Sequence, residues 1–141
     1  MPGIGITFTA IRANAAQIQP VVIREELRWY TKEFCDDLVG EMSDEYPAAP
    51  PNPPNDYVRT FRLRNNYRVR NTSSGVGIQY TIDNPVQDRY GRYYASYVQG
   101  SAQTWFHART GWKKWSDVLP KKRVKFTAGA QAIIKKGIKL T

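Results

Sequence analysis

One cysteine, Cys35, and one histidine, His107, are all that this 141-residue chain has of the two side chains that most often hold transition metals or drive nucleophilic catalysis. A lone thiol excludes an internal disulfide, and one thiol with one imidazole cannot complete a zinc site. Apolar runs stop after a few residues, far short of the roughly 20 that a membrane-spanning helix needs. The opening MPGIGITFTAIRAN has no basic stretch followed by an apolar one, so no signal peptide is expected and cytosolic folding is. Phosphate-cradling glycine loops are absent too, the early GIG being too short to count. Cys35 stands beside Asp36 and Asp37, which raise a thiol's pKa rather than activate it. Ser101 and Thr104 lack the context of a nucleophile elbow, and the nearest plausible orienting carboxylate for His107 along the chain is Asp117. The expectation is a protein that is not an enzyme, with no catalytic residue, no metal and no cofactor.

Acidic residues are scarce in the second part of the chain. Residues 1–56 hold four Lys and Arg against nine Asp and Glu, net −5, while residues 57–141 hold seventeen against three, net +14. A protein that only binds nucleic acid has no need of the acidic part. One that docks onto another copy of itself gains from opposite signs. A solvated acidic helix beside a basic tail is the alternative.

Periodicity supplies the elements. GITFTA alternates Ile4, Ile6 and Phe8, a short strand. Ile23, Leu27, Tyr30, Phe34, Leu38 and Met42 recur at steps of three and four, one apolar stripe of a long helix. Glu25, Glu33, Asp36 and Glu41 fall mostly off that stripe and form an acidic face. Five prolines between Pro47 and Pro54 end the helix, and residues 47–55 form an extended connector. NNYRVRNT and VGIQYTID alternate on either side of SSG and read as a hairpin, with Val76, Ile78, Tyr80 and Ile82 on its apolar face. YYASYVQG and QTWFHA look like two further short strands. TGWKKWSDVL can start a helix, and Pro120 opens or kinks a basic helical tail over 120–141, with Val124, Ile133, Ile134 and Ile138 toward the core. The expected fold is a single α+β domain over 1–141: a long N-terminal helix packed on a small antiparallel β-sheet, with a C-terminal helix. No internal repeat is present.

The arginine-rich RTFRLRNNYRVR interleaves Arg59, Arg62, Arg64, Arg68 and Arg70 with Phe61 and Tyr67, a mixture that can follow phosphates and stack bases. In a strand the same alternation puts Arg68 and Arg70 on one face and Tyr67 and Val69 on the other, leaving the arginines as a solvated face.

Three segments together resemble the tail-completion and head–tail joining proteins of tailed bacteriophages, the small neck or minor tail proteins. YVRTFRL contributes Tyr57, Arg59, Thr60 and Leu63, with Phe61 where the family has glycine. YYASYVQG contributes Tyr93, Tyr97, Val98 and Gly100. HARTGW contributes His107, Thr110, Gly111 and Trp112, with DVL following. Order and spacing match over roughly residues 20–135. The resemblance implies a structural virion protein, made in the bacterial cytoplasm. It implies a homo-oligomeric ring, often six-fold, around the channel where DNA leaves the head. Partners would be other copies and neighbouring neck, connector or tail-tube proteins, with no membrane and with DNA passing without specific binding. Tyr97, Trp105, Trp112 and Trp115 are expected to divide between core and subunit contact. His107 is expected to make a structural hydrogen bond, and Gly100 and Gly111 to serve turns with positive φ. Lys121, Lys122, Arg123, Lys125, Lys135, Lys136 and Lys139 of the basic tail are expected to dock on protein rather than bind DNA tightly. A basic nucleic-acid-binding module is the alternative function.

Overall fold

The computed structural model describes residues 4–13, 21–45, 66–87, 90–105, 108 and 112–139, and of residues 44, 45, 94, 97, 138 and 139 the backbone alone. The order of elements is β1 (Ile4–Ile11), α1 (Val21–Gly40), β2 (Arg68–Asn71), β3 (Ile78–Asn84), α2 (Tyr94–Val98) and α3 (Trp115–Lys139). The fold is α+β, and its first described element is a strand rather than the long helix. The connector at 47–55 and the segment Tyr57–Leu63 lie outside the described residues.

The three strands form an antiparallel sheet in the order β1-β3-β2. Registers of Ile6 with Ile82, Phe8 with Tyr80 and Val69 with Ile82 put the apolar residues of all three strands on one face. The register also puts Thr7, Thr81 and Arg70 together on the other face, because side chains alternate along a strand. There a hydroxyl ladder links Thr7 to Thr81 at 3.0 Å and Thr81 to Thr72 at 2.9 Å. The turn between β2 and β3 has Gly75 at φ +56°, with Ala13 O only 2.5 Å from where a Cβ would sit. Any larger residue would be strained twice over at this point. Val76 is half-buried and lies before β3 begins, so the apolar face of the hairpin starts at Ile78.

Helix α1 lays its stripe on the apolar face of the sheet. Ile23, Leu27, Leu38 and Met42 are buried, and Tyr30 and Phe34 are half-buried against the core. Thr31 and Cys35 are buried as well, which widens the stripe. The Thr31 hydroxyl meets its hydrogen-bonding need by donating to Leu27 O at 2.7 Å. The helix continues as a π-helical turn over Glu41–Glu45.

Two expectations are corrected. Residues 94–98 form a short helix and not a strand. Their alternating Tyr, Ala and Val fit either period over so short a run, and i→i−4 bonds from Gln99 to Ala95 (2.9 Å) and Gly100 to Ser96 (3.1 Å) close the helical turn. The basic segment is helical, and the second correction is within it, at Val124. Helix α3 starts at Trp115, ahead of Pro120, and runs through it. Its start is held because Trp115 N–H donates to Gln99 O at 2.9 Å, and Asp117 in the first turn complements the helix dipole. Phe126 and Ala130 of α3 are buried and Ile133 and Ile134 pack against them, but Val124 is 72% exposed because it lies half a turn away from Phe126.

Helices α1 and α3 pack closely. Phe126 lies 5.1 Å from Phe8, 5.2 Å from Phe34 and 5.4 Å from Tyr30 between ring centroids, so one aromatic cluster joins β1, α1 and α3. The Tyr30 hydroxyl donates to Phe126 O at 3.0 Å. Gly129 makes room for that ring: a Cβ there would sit 2.1 Å from Tyr30 Oη and 2.6 Å from its Cζ. Gly137 does the same for Ile23, whose Cγ1 would be 2.5 Å away.

Gly129→Ala therefore tests the packing. At an exposed helical site the change would gain about 1 kcal/mol. Here the Tyr30 ring must move off Phe126, and overpacking of this kind costs about 1–3 kcal/mol. We expect a net loss of stability, read from the urea midpoint at unchanged m-value. A gain would show that Tyr30 is free to move.

Candidate assembly surface

Gln99, Gln103, Trp112 and Trp115 meet Tyr67, just before β2, and Met42, just beyond α1, in a largely buried clamp. The Tyr67 hydroxyl donates to Gln99 Oε1 at 2.7 Å and accepts from Trp115 Nε1 at 2.9 Å. Gln99 Nε2 donates to Met42 O at 2.9 Å. Gln103 Nε2 bridges Val98 O (2.8 Å) and Trp112 O (2.9 Å). Every amide and hydroxyl in this set replaces a lost water contact with a protein one, which burial requires. Burial pushes the Tyr67 phenol well above its ordinary range, so it stays protonated and keeps donating. Tyr67, Gln99 and Gln103 were not singled out as site residues from the sequence. The signal available was Gln99 beside Gly100 within YVQG, which reads only as a turn.

The aromatic residues divide. Trp112, Trp115 and Val98 are buried in the core, Tyr93 is half-buried, and Trp105 is 68% exposed. Gly100 has no positive φ among the described glycines, contrary to expectation. It is needed for a close approach instead, since a Cβ would sit 2.6 Å from Ser96 O as the chain leaves α2. Tyr57, Arg59, Thr60, Leu63, His107, Thr110 and Gly111 lie outside the described residues, and the side chain of Tyr97 is not described.

The charged faces are partly satisfied within the chain. Glu41 of the α1 extension pairs with Lys122 of α3 at 2.7 Å, and Glu26 with Lys136 at 3.6 Å. Glu25 pairs with Arg28, and Asp36 with Lys32 at 2.7 Å. Arg123 donates to Thr7 O at 2.9 Å and lies over the Phe8 ring, 4.9 Å from its centroid. On the outer face of the sheet, Asp83 holds both Arg68 and Arg70, the latter by Nε to Oδ2 at 2.8 Å. Glu33, Asp37, Lys121, Lys125 and Lys135 enter no ion pair among the described residues. The side chain of Lys139 is not described.

No group of three or more His, Cys, Asp and Glu able to hold a metal occurs among the described residues. Cys35 is fully buried, and burial first, with Asp36 adding, pushes its thiol from 9.0 up to about 12. A small cleft of about 140 Å³ between the long helices is lined by Phe34, Asp37, Leu38, Glu41, Lys122 and Lys125, with the Glu41–Lys122 pair along its wall. No helix among the described residues is long and apolar enough to cross a membrane. No protein-family model, no curated protein and no solved structure matches the chain.

Two outcomes follow from this geometry. Gln99→Met keeps the volume but leaves the Tyr67 hydroxyl without its acceptor and Met42 O without its donor, at about 1–3 kcal/mol for each group left unpaired. Chemical denaturation of the variant measures the loss. Cys35 gives a pH dependence. Above about pH 9 the unfolded chain releases a thiol proton that the folded chain keeps until about 12, so stability falls as pH rises through that window. The slope from this group is at most about 1.4 kcal/mol per pH unit, and below 9 nothing is lost. Denaturation of Cys35→Ala at pH 8 and pH 10 should show a shallower decline than the native protein.

Proposed function

We propose that the chain is a structural subunit of a tailed-phage virion, one of a closed ring at the head–tail neck or tail end through which DNA passes. The observation that carries this reading is the clamp. Gln99 of YYASYVQG and Trp115, three residues past HARTGW, hold α2 and α3 to Tyr67 just before β2 and to Met42 just beyond α1. They build a scaffold rather than a catalytic cleft. The scaffold presents two long helices of opposite charge, and a ring contact is heterologous, so one subunit offers each sign to a different neighbour. Neighbouring partners would be further neck, connector or tail-tube proteins, and the protein would reside in the virion.

The rival reading, a basic nucleic-acid-binding module, draws on the exposed Lys121, Lys125 and Lys135 of α3. It is weakened by Asp83, which pairs with both Arg68 and Arg70 and offsets one of their two charges. Deleting the basic segment is not a clean test, because Phe126 is in the core. The triple variant Lys121→Glu, Lys125→Glu, Lys135→Glu is suitable, since all three are exposed. Native mass spectrometry of the unaltered chain should give one discrete ring species. Filter binding should show DNA affinity of the triple variant close to that of the native chain. A native chain that stays monomeric, or a steep and salt-sensitive loss of DNA binding in the variant, would favour the nucleic-acid module.

A further inference from the structure

Two large apolar side chains stand on the outer faces of the long helices, pointing away from the core that both helices share. Trp29 of α1 is 66% exposed and Val124 of α3 is 72% exposed. Trp29 lies opposite the buried stripe of Ile23, Leu27 and Leu38, where Val22, Glu25, Lys32, Glu33 and Asp36 share its face at helical spacing, Lys32 paired with Asp36 and Glu25 with Arg28. Val124 lies opposite Phe126 and Ala130. It borders a shallow depression formed with Arg123, Thr127, Ala128 and Gln131. Lys121 and Lys135 share that face of α3.

The surfaces are opposite in sign, and each carries an exposed apolar side chain. One presents an apolar ring projecting from an acidic helix, with Glu33 outside any ion pair among the described residues. The other presents a small-residue hollow in a basic helix, with Lys121, Lys125 and Lys135 outside any such pair. Tryptophan anchors ringed by charge are typical of interface centres, where the ring fills a hollow and the charges set orientation. Within one chain the two surfaces cannot meet, since α1 and α3 turn their inner faces to each other through Tyr30, Phe126 and Gly129.

We infer that the outer face of α1 in one copy docks on the outer face of α3 in a second copy, with Trp29 seated against Val124 and Ala128. The contact is heterologous: one copy keeps its α3 face unused and the other its α1 face, so addition continues until the ring closes. This rests on the ring reading above and names the surface that makes it.

The test uses two full-length variants, Trp29→Glu and Val124→Glu, each at an exposed position and each checked for native circular dichroism. Alone, each variant breaks one of the two faces and should associate at least about 30-fold more weakly, the effect of losing an interface anchor. Mixed in equal amounts, the intact α1 face of one meets the intact α3 face of the other. The mixture should then form a one-to-one dimer by sedimentation velocity and nothing larger, since the faces left over are both broken. A native ring with both variants still assembling would overturn the proposed surface and leave the ring reading standing. Variants that are monomeric alone and also when mixed would overturn it too, because the contact would then not pair these two faces. A native chain that is monomeric at every concentration overturns the surface and the ring together.

Discussion

Helix α3 reaches α1 only because Gly129 presents no side chain to the Tyr30 ring. Three short strands with one apolar face cannot enclose a core. Helix α1 covers the sheet, and α3 seals the remaining gap by inserting Phe126 among Phe8, Tyr30 and Phe34. A glycine inside a helix costs about 1 kcal/mol relative to alanine. That cost is offset because the Tyr30 hydroxyl reaches Phe126 O and the stacked rings stay in contact. The clamp acts at the other end of the same helix. Trp115 is tied by its backbone to Gln99 and by its indole to Tyr67, so α3 is held at its start and at its middle.

Charge follows the same geometry. The acidic and basic parts of the chain, −5 and +14 by count, meet first inside the subunit, at Glu41–Lys122 and Glu26–Lys136. Both pairs are partly exposed, so their contribution to stability is small, of order 0–1 kcal/mol each. Their effect is to orient one helix on the other. What remains outward is the acidic side of α1 and the basic side of α3. On the outer face of the sheet Asp83 sits between Arg68 and Arg70 and offsets one of their two positive charges.

The long helix and the hairpin were legible because their signals are periodic and local. Ile23, Leu27, Leu38 and Met42 at steps of three and four lead to one face, and Ile78, Tyr80 and Ile82 at steps of two lead to another. Residues 93–100 were misread as a strand because eight residues carry too few repeats to separate the two periods. The clamp was only partly legible. Trp115 was noticed for its composition, but Tyr67 and Gln99 are 32 residues apart, and no local pattern records that a phenol and an amide will be partners.

By itself, the sequence determined most of the inward stripe of α1 and the alternation of β1 and β3, that no disulfide forms within the chain, and where the charges lie along it. These follow from side-chain chemistry and from periods of 3.6 and 2, which need only near neighbours. Tertiary structure alone decided that α3 begins at Trp115 and runs through Pro120, that Gly100 serves close approach rather than a turn, that Gly129 makes room for Tyr30, and that Trp29 and Val124 face outward while Trp115 does not. Each depends on how elements distant in the chain pack against one another. Excluded volume and hydrogen-bond pairing between such elements are set only when the chain has folded.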